Sequence, residues 1–159
     1  MRTALLQLNA NDVPAENLVV TRRMLRQAVD DGAEFVLTPE VTNCLSTSRR
    51  HQQEVLQHQD EDITLAALRE DAASAGIWLL IGSLALKTHD ADGRFANRSF
   101  MIDPCGEIVA WYDKIHMFDV QVTPEETFRE SEGYRPGSRA ATADTAFGTV
   151  GMTVCYDLR

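Results

Sequence analysis

The chain is 159 residues long, 44% hydrophobic and 25% charged, enough apolar material for one domain with a real core, which excludes a disordered segment. Its formal net charge of −9 creates a field that repels phosphate backbones and argues against a nucleic-acid partner. No apolar run approaches the ~20 residues that a membrane span needs, and the run after Arg2 is too short for a signal peptide, so a reducing, cytoplasmic setting is expected.

Residues 3–8 read as a first strand, and residues 9–14 as the turn after it. Leu18, Thr21, Leu25 and Ala28 then recur at helical spacing. Asn17 or Glu16 begins that helix, and Gly32 ends it. The short apolar run at 35–37 is stopped by Pro39 and reads as a buried strand. Strand, helix and strand in this order predict a parallel, right-handed βαβ unit. Residues 43–59 are polar and read as a surface loop with room for a short helix. A second helix follows from about Ile63, with Leu65, Leu68, Ala72 and Ala75 on one face and Gly76 closing it.

Residues 78–81 form another buried apolar run. The turn at 89–93 joins residues 84–87 to 95–102 as a hairpin, and the turn at 103–106 leads into a strand at 108–113. Hairpins after βαβ units predict a mixed sheet and an α/β fold, as one domain over residues 1–159. Periodicity fades from 118 to 138, where Pro124, Gly133, Pro136 and Gly137 act as breakers; a loop that long is more often functional than idle. The final apolar run, Val150 to Val154, is predicted as a buried strand leading straight to Cys155.

Three groups fall at predicted strand ends. Cys155 lies where α/β sheets place their reacting groups, although a core cysteine fits the same context. Pro39 aims Glu40 out of its strand in a defined direction; a solvated loop carboxylate is the alternative. Lys114 closes the strand at 108–113, and a snorkelling lysine is its alternative. The three cysteines are odd in number and widely spaced, so they suit neither a disulfide framework nor a zinc knuckle. Cys44 and Cys105 have weaker claims to chemistry, with no base evident beside the turn that holds Cys105. The four histidines make no ligand pair, and nothing points to a metal. His116, two residues after Lys114, invites a Cys–His reading, with support of the local loop as the alternative.

The stretches Leu37-Thr-Pro-Glu40, Tyr112-Asp-Lys-Ile-His116 and Gly151-Met-Thr-Val-Cys-Tyr-Asp-Leu-Arg159 resemble, in order, the three catalytic motifs of the nitrilase, or carbon–nitrogen hydrolase, superfamily. Lys114-Ile-His-Met-Phe-Asp-Val120 and Phe128-Arg-Glu-Ser131 carry a closer likeness to the Nit branch of amidases, which includes ω-amidase and deaminated glutathione amidase. The resemblance implies an αββα sandwich, usually dimerised through helices, and no metal or organic cofactor. It implies Cys155 as nucleophile, Glu40 as general base and acid, Lys114 as oxyanion stabiliser, and Glu130 as a second, supporting glutamate. The chemistry agrees: a thiol needs a neighbouring base to become a good nucleophile, and Glu40 can supply one. Lys114 and the backbone N–H of Tyr156 can hold the oxyanion. The implied reaction converts a small carboxylate-bearing amide to acid and ammonia through a thioester, with nitriles and N-carbamoyl amino acids left open. Members of the family continue well past the position of Arg159. The chain is therefore expected to be the N-terminal portion of a hydrolase, with an incomplete sandwich that neither folds well nor turns over substrate by itself. A non-catalytic fragment that associates with a homologous subunit is the other reading.

Overall fold

The computed structural model describes residues 1–158. The first strand, β1 (Thr3–Leu5), is shorter than the run at 3–8 suggests. Helix α1 (Pro14–Asp30) starts before the expected residue 16 or 17, with proline at its first turn, where a missing N–H costs nothing. Asn17, Thr21, Leu25 and Ala28 form its buried stripe, and Gly32, at φ 81, turns the chain out of it. Strand β2 (Phe35–Leu37) pairs parallel with β1, which completes the βαβ unit.

The stretch at 43–59 holds the short helix it had room for, α2 (Arg49–Val55), capped by the Ser48 side chain. It departs from a surface loop in burying Asn43, Cys44, Gln52 and Leu56. Asn43 explains the inward path: its side-chain amide donates to Ala85 O at 2.9 Å and accepts from Ala85 N at 2.9 Å. It thereby supplies the hydrogen bonds that a neighbouring backbone would make, so a polar residue is buried without penalty.

Helix α3 (Ile63–Ala75) is capped by Asp62, whose carboxylate accepts from Leu65 N at 2.8 Å, and closed by Gly76 in the left-handed region at φ 64. Strands β3 (Trp78–Leu86), β4 (Ala96–Ile102) and β5 (Ile108–Asp113) complete a five-stranded sheet in the order β1-β2-β3-β4-β5. The pairing is parallel from β1 to β3 and antiparallel from β3 to β5, the mixed sheet expected. One face packs against the helices through Leu25, Leu65, Leu68, Val36, Leu79, Ile81 and Phe100. On the other face Phe35, Met101 and Tyr112 meet Ala143, Met152 and Val154 from the end of the chain.

Two corrections concern the last third. The stretch from 118 to 138 is not irregular throughout, for it forms a hairpin of β6 (Asp119–Gln121) and β7 (Thr127–Arg129), then the single turn α4 (Glu130–Gly133). The final apolar run is not one buried strand. Strand β9 (Gly148–Gly151) pairs with β8 (Thr142–Thr145) and is largely exposed. Beyond Gly151 the pairing fades into a single bond from Met152 N to Ala141 O, 3.0 Å. Met152 and Val154 stay buried by side-chain packing alone, and Cys155 opens a 3-10 turn (Cys155–Leu158).

Candidate active site

Residues 38–42 do not turn away from the sheet after β2. Thr38 N donates to Leu80 O at 3.0 Å, and Thr42 N to Ser83 O at 2.9 Å, so the segment keeps running beside β3. The approach is close enough to require glycine on the facing strand. A Cβ on Gly82 would sit 2.2 Å from Thr38 O and 2.7 Å from the carbonyl of Pro39. Val41 follows Glu40 at φ 45, a conformation costly for a β-branched residue, and its N–H is held by Ser83 Oγ at 2.8 Å. Glu40 therefore projects from a backbone with little freedom.

Lys114 is the first residue after β5. Its backbone is tied on both sides, by its N–H to Asn97 O at 3.0 Å and by Gly137 N to its own carbonyl at 2.8 Å. Its side chain is 2% exposed. The ammonium donates to Glu130 Oε2 at 2.8 Å, to Glu130 Oε1 at 2.9 Å and to Glu40 Oε1 at 3.0 Å. The β6–β7 hairpin brings Glu130 here as the first residue of α4, and Phe118 N fixes its Oε2 at 2.7 Å. Burial alone would lower the Lys114 pKa, but the hydrogen bonds from Glu130 and Glu40 outweigh it and raise the value, so the cation persists at neutral pH.

Cys155 sits at φ 50, in the left-handed region that few residues other than glycine occupy. Burial raises its thiol pKa, the Glu40 carboxylate raises it further, and Lys114 opposes both. The thiol thus rests protonated beside a carboxylate. Alkylation of Cys155 by iodoacetamide is accordingly expected to be slow at neutral pH and to accelerate only above the ordinary thiol range. The rate measured against pH checks this, and a plateau reached below that range would mean a preformed thiolate.

Glu40, Lys114, Glu130 and Cys155 line one cleft of about 650 Å³, together with Phe118 and Phe128. The four side chains expected to act together are therefore in one place. The Tyr156 ring stands edge-on to Phe118 at 5.3 Å between centroids. His116 is not among the cleft residues; its ring, 60% exposed, is bonded through Nδ1 to Asp157 at 2.9 Å. Cys44 lines the cleft but is buried, with its thiol pushed up to about 11 by burial first and by Asp12 second. Cys105 lies exposed in its turn, outside the cleft. Among the described residues no cluster of three or more His, Cys, Asp or Glu is arranged to hold a metal ion, and no helix is long and apolar enough to cross a membrane.

Two residues of this neighbourhood carry no expectation from sequence. Asn97 is buried in β4, and its Nδ2 donates to Glu40 Oε1 at 2.8 Å and to Glu130 Oε1 at 3.4 Å. The signal was its residue type, since asparagine is depleted from strand interiors. Asp157, in the turn after Cys155, is buried under five donors and shows no such signal.

Residues 2–159 match the family model described as carbon–nitrogen hydrolase. The chain belongs to the carbon–nitrogen hydrolase family. Within it the chain is similar to deaminated glutathione amidase of Yersinia enterocolitica, 36% identical over 157 residues, which cover 98% of this chain and 54% of the relative. It is 32% identical to human ω-amidase over 158 residues, covering 99% of this chain and 55% of that protein. The NitFhit protein of C. elegans superposes with a TM-score of 0.86 at 25% identity, over 100% of this chain and 40% of that one. An amidase from Nesterenkonia sp. AN1 shares the fold alone, with a TM-score of 0.78 at 24% identity over 99% of this chain and 58% of its own. The sheet and its helical layer are thus those of the nitrilase fold. The chain spans about half the length of the curated relatives it matches.

Proposed function

We propose that the protein is a Nit-type amidase that cleaves a non-peptide carbon–nitrogen bond, with residues 1–159 as the N-terminal portion of its hydrolase domain. The observation that carries this reading is the contact of Lys114 Nζ with both Glu130 and Glu40 in the cleft that holds Cys155. Glu40 takes the thiol proton, and Sγ attacks the amide carbon. The oxyanion is met by Lys114 and the backbone N–H of Tyr156, aimed at charge that develops only in the transition state. Glu40 returns the proton to nitrogen, the C–N bond breaks, and ammonia leaves a thioester. Glu40 then deprotonates water, hydroxide adds to the thioester, and the thiolate departs and regains its proton from Glu40. Glu130 orients Lys114 and balances its charge, and every step uses side chains, backbone and water alone.

The substrate class we favour is a small amide that bears a carboxylate. Lys114 is already neutralised by two carboxylates, whereas Arg49 and Arg129 also line the cleft and offer positive charge. The similarity to deaminated glutathione amidase and ω-amidase supports the same class. The working unit would be a homodimer or higher homo-oligomer, and a nucleophilic thiol suits the reducing cytoplasm.

Ammonia release tests the reading on the protein as its gene encodes it, with a panel of amides with and without a carboxylate, nitriles and N-carbamoyl amino acids. Turnover is expected for the carboxylate-bearing amides first. Glu40→Gln should keep the fold and lose both half-reactions, so that intact mass detects no acyl adduct. Near-normal turnover by that variant would assign the base elsewhere.

A further inference from the structure

Asp157 takes no part in the steps above, yet it is the most heavily bonded carboxylate near the nucleophile. Its side chain is 3% exposed. Oδ2 accepts from Tyr112 Oη at 2.7 Å and from Val154 N at 2.9 Å. Oδ1 accepts from His116 N at 2.8 Å, His116 Nδ1 at 2.9 Å and Ile115 N at 3.3 Å. These donors come from three places. Tyr112 belongs to β5, Ile115 and His116 directly follow Lys114, and Val154 directly precedes Cys155.

The contacts join two segments far apart in the chain. Asp157 N also donates to Val154 O at 3.1 Å, so residues 154–157 are closed by bonds in both directions around the one residue held at φ 50. A non-glycine residue stays in that region only when its surroundings over-determine it. On the other side the same carboxylate gathers the two N–H groups that follow Lys114.

We propose that Asp157 is a positioning residue: its carboxylate locks the turn bearing Cys155 to the end of the strand that delivers Lys114, and so sets where Sγ lies relative to Lys114 and Glu40. The inference rests on the amidase reading above. A carboxylate is required because every neighbour donates. Asparagine in either orientation would turn its NH₂ towards backbone N–H groups, those of Ile115 and His116 on one side or that of Val154 on the other, and leave donors unpaired. Burial would raise the Asp157 pKa, but the bonds from the His116 backbone, Tyr112 and Val154 lower it by more, so the acceptor is ionised at neutral pH. Tyr112 assists from both directions, since its hydroxyl also accepts from Ile115 N at 3.2 Å.

Asp157 does not line the cleft, so substrate binding should be spared and the chemical step impaired. A misplacement of about 1 Å in reacting groups costs on the order of a hundredfold in rate. In the protein as its gene encodes it, Asp157→Asn is expected to lower kcat about a hundredfold with KM within threefold, counted per folded molecule. A thermal melt and near-UV circular dichroism give the folded fraction, which a merely structural role would change instead. Wild-type kcat per folded molecule in Asp157→Asn overturns the inference. If that variant does not fold, Tyr112→Phe decides: an intact melt with kcat per folded molecule down by about tenfold supports the lock, and an unchanged kcat overturns it. If the wild-type protein turns over none of the panel, it is the amidase reading that fails, and the alkylation rate of Cys155 in the same variants still reports on the turn. An unchanged rate and pH profile in the deciding variant would then overturn the lock as well.

Discussion

Cys155→Ala is expected to lower amide turnover by about 10⁵-fold or more, because loss of a nucleophile removes the covalent route outright. Of the three cysteines it alone lies in the cleft with an exposed position beside Glu40 and Lys114. Cys105→Ala should leave turnover intact, since that thiol sits in an exposed turn outside the cleft. Cys44→Ala should cost packing and little chemistry, because a buried thiol held near pKa 11 does not ionise at neutral pH. Intact-mass analysis during turnover checks the assignment by locating the acyl group. An adduct on Cys44 or Cys105 would move the nucleophile.

Lys114→Met is expected to damage stability and activity together, which separates it from the other site variants. Removing one partner of a buried ion pair costs about 3–5 kcal/mol, because the remaining charge is left uncompensated. Here two carboxylates, from Glu40 and Glu130, would be left facing each other across the vacated position. The missing oxyanion donor should reduce kcat by a further 10²–10³-fold, roughly, in whatever fraction stays folded. Urea melts and ammonia release measure the two losses separately. Adding Glu130→Gln to Lys114→Met should recover part of the stability and none of the activity, and independent additive effects would mean that the pair is not coupled. The pH dependence has a definite sign. The Lys114 pKa is raised in the folded state, so its contribution is fully present below the ordinary lysine value of 10.5 and is lost as pH rises through the higher folded value. The stability gap between wild type and Lys114→Met should therefore stay level through the neutral range and close only in strong alkali.

Much of the framework was legible before any coordinates. Pro39, Gly32 and Gly76 punctuate the chain where the elements stop, because φ restriction and left-handed caps act over one or two residues. The 3.6-residue stripe of α1 and the apolar run at β2 are equally local signals. The β6–β7 hairpin was not legible, since its strands are three residues each and carry no sustained alternation. The run before Cys155 misled for a related reason. Val150, Met152 and Val154 do alternate inward, but alternation reports which side chains are buried and not whether a partner strand is there to pair.

The sequence by itself determined the α/β class, the order of the elements and which residues are candidates for the chemistry, because all three are written in local periodicity and in short motifs. Only the tertiary structure decided that Lys114 bonds two carboxylates, one of them 74 residues away and the other 16. It alone decided that Asn97 bonds both carboxylates and that Asp157 bonds backbone next to Lys114 and next to Cys155. Those contacts depend on where the sheet brings distant backbone together, and no spacing along the chain encodes the distance between two atoms that meet only after folding.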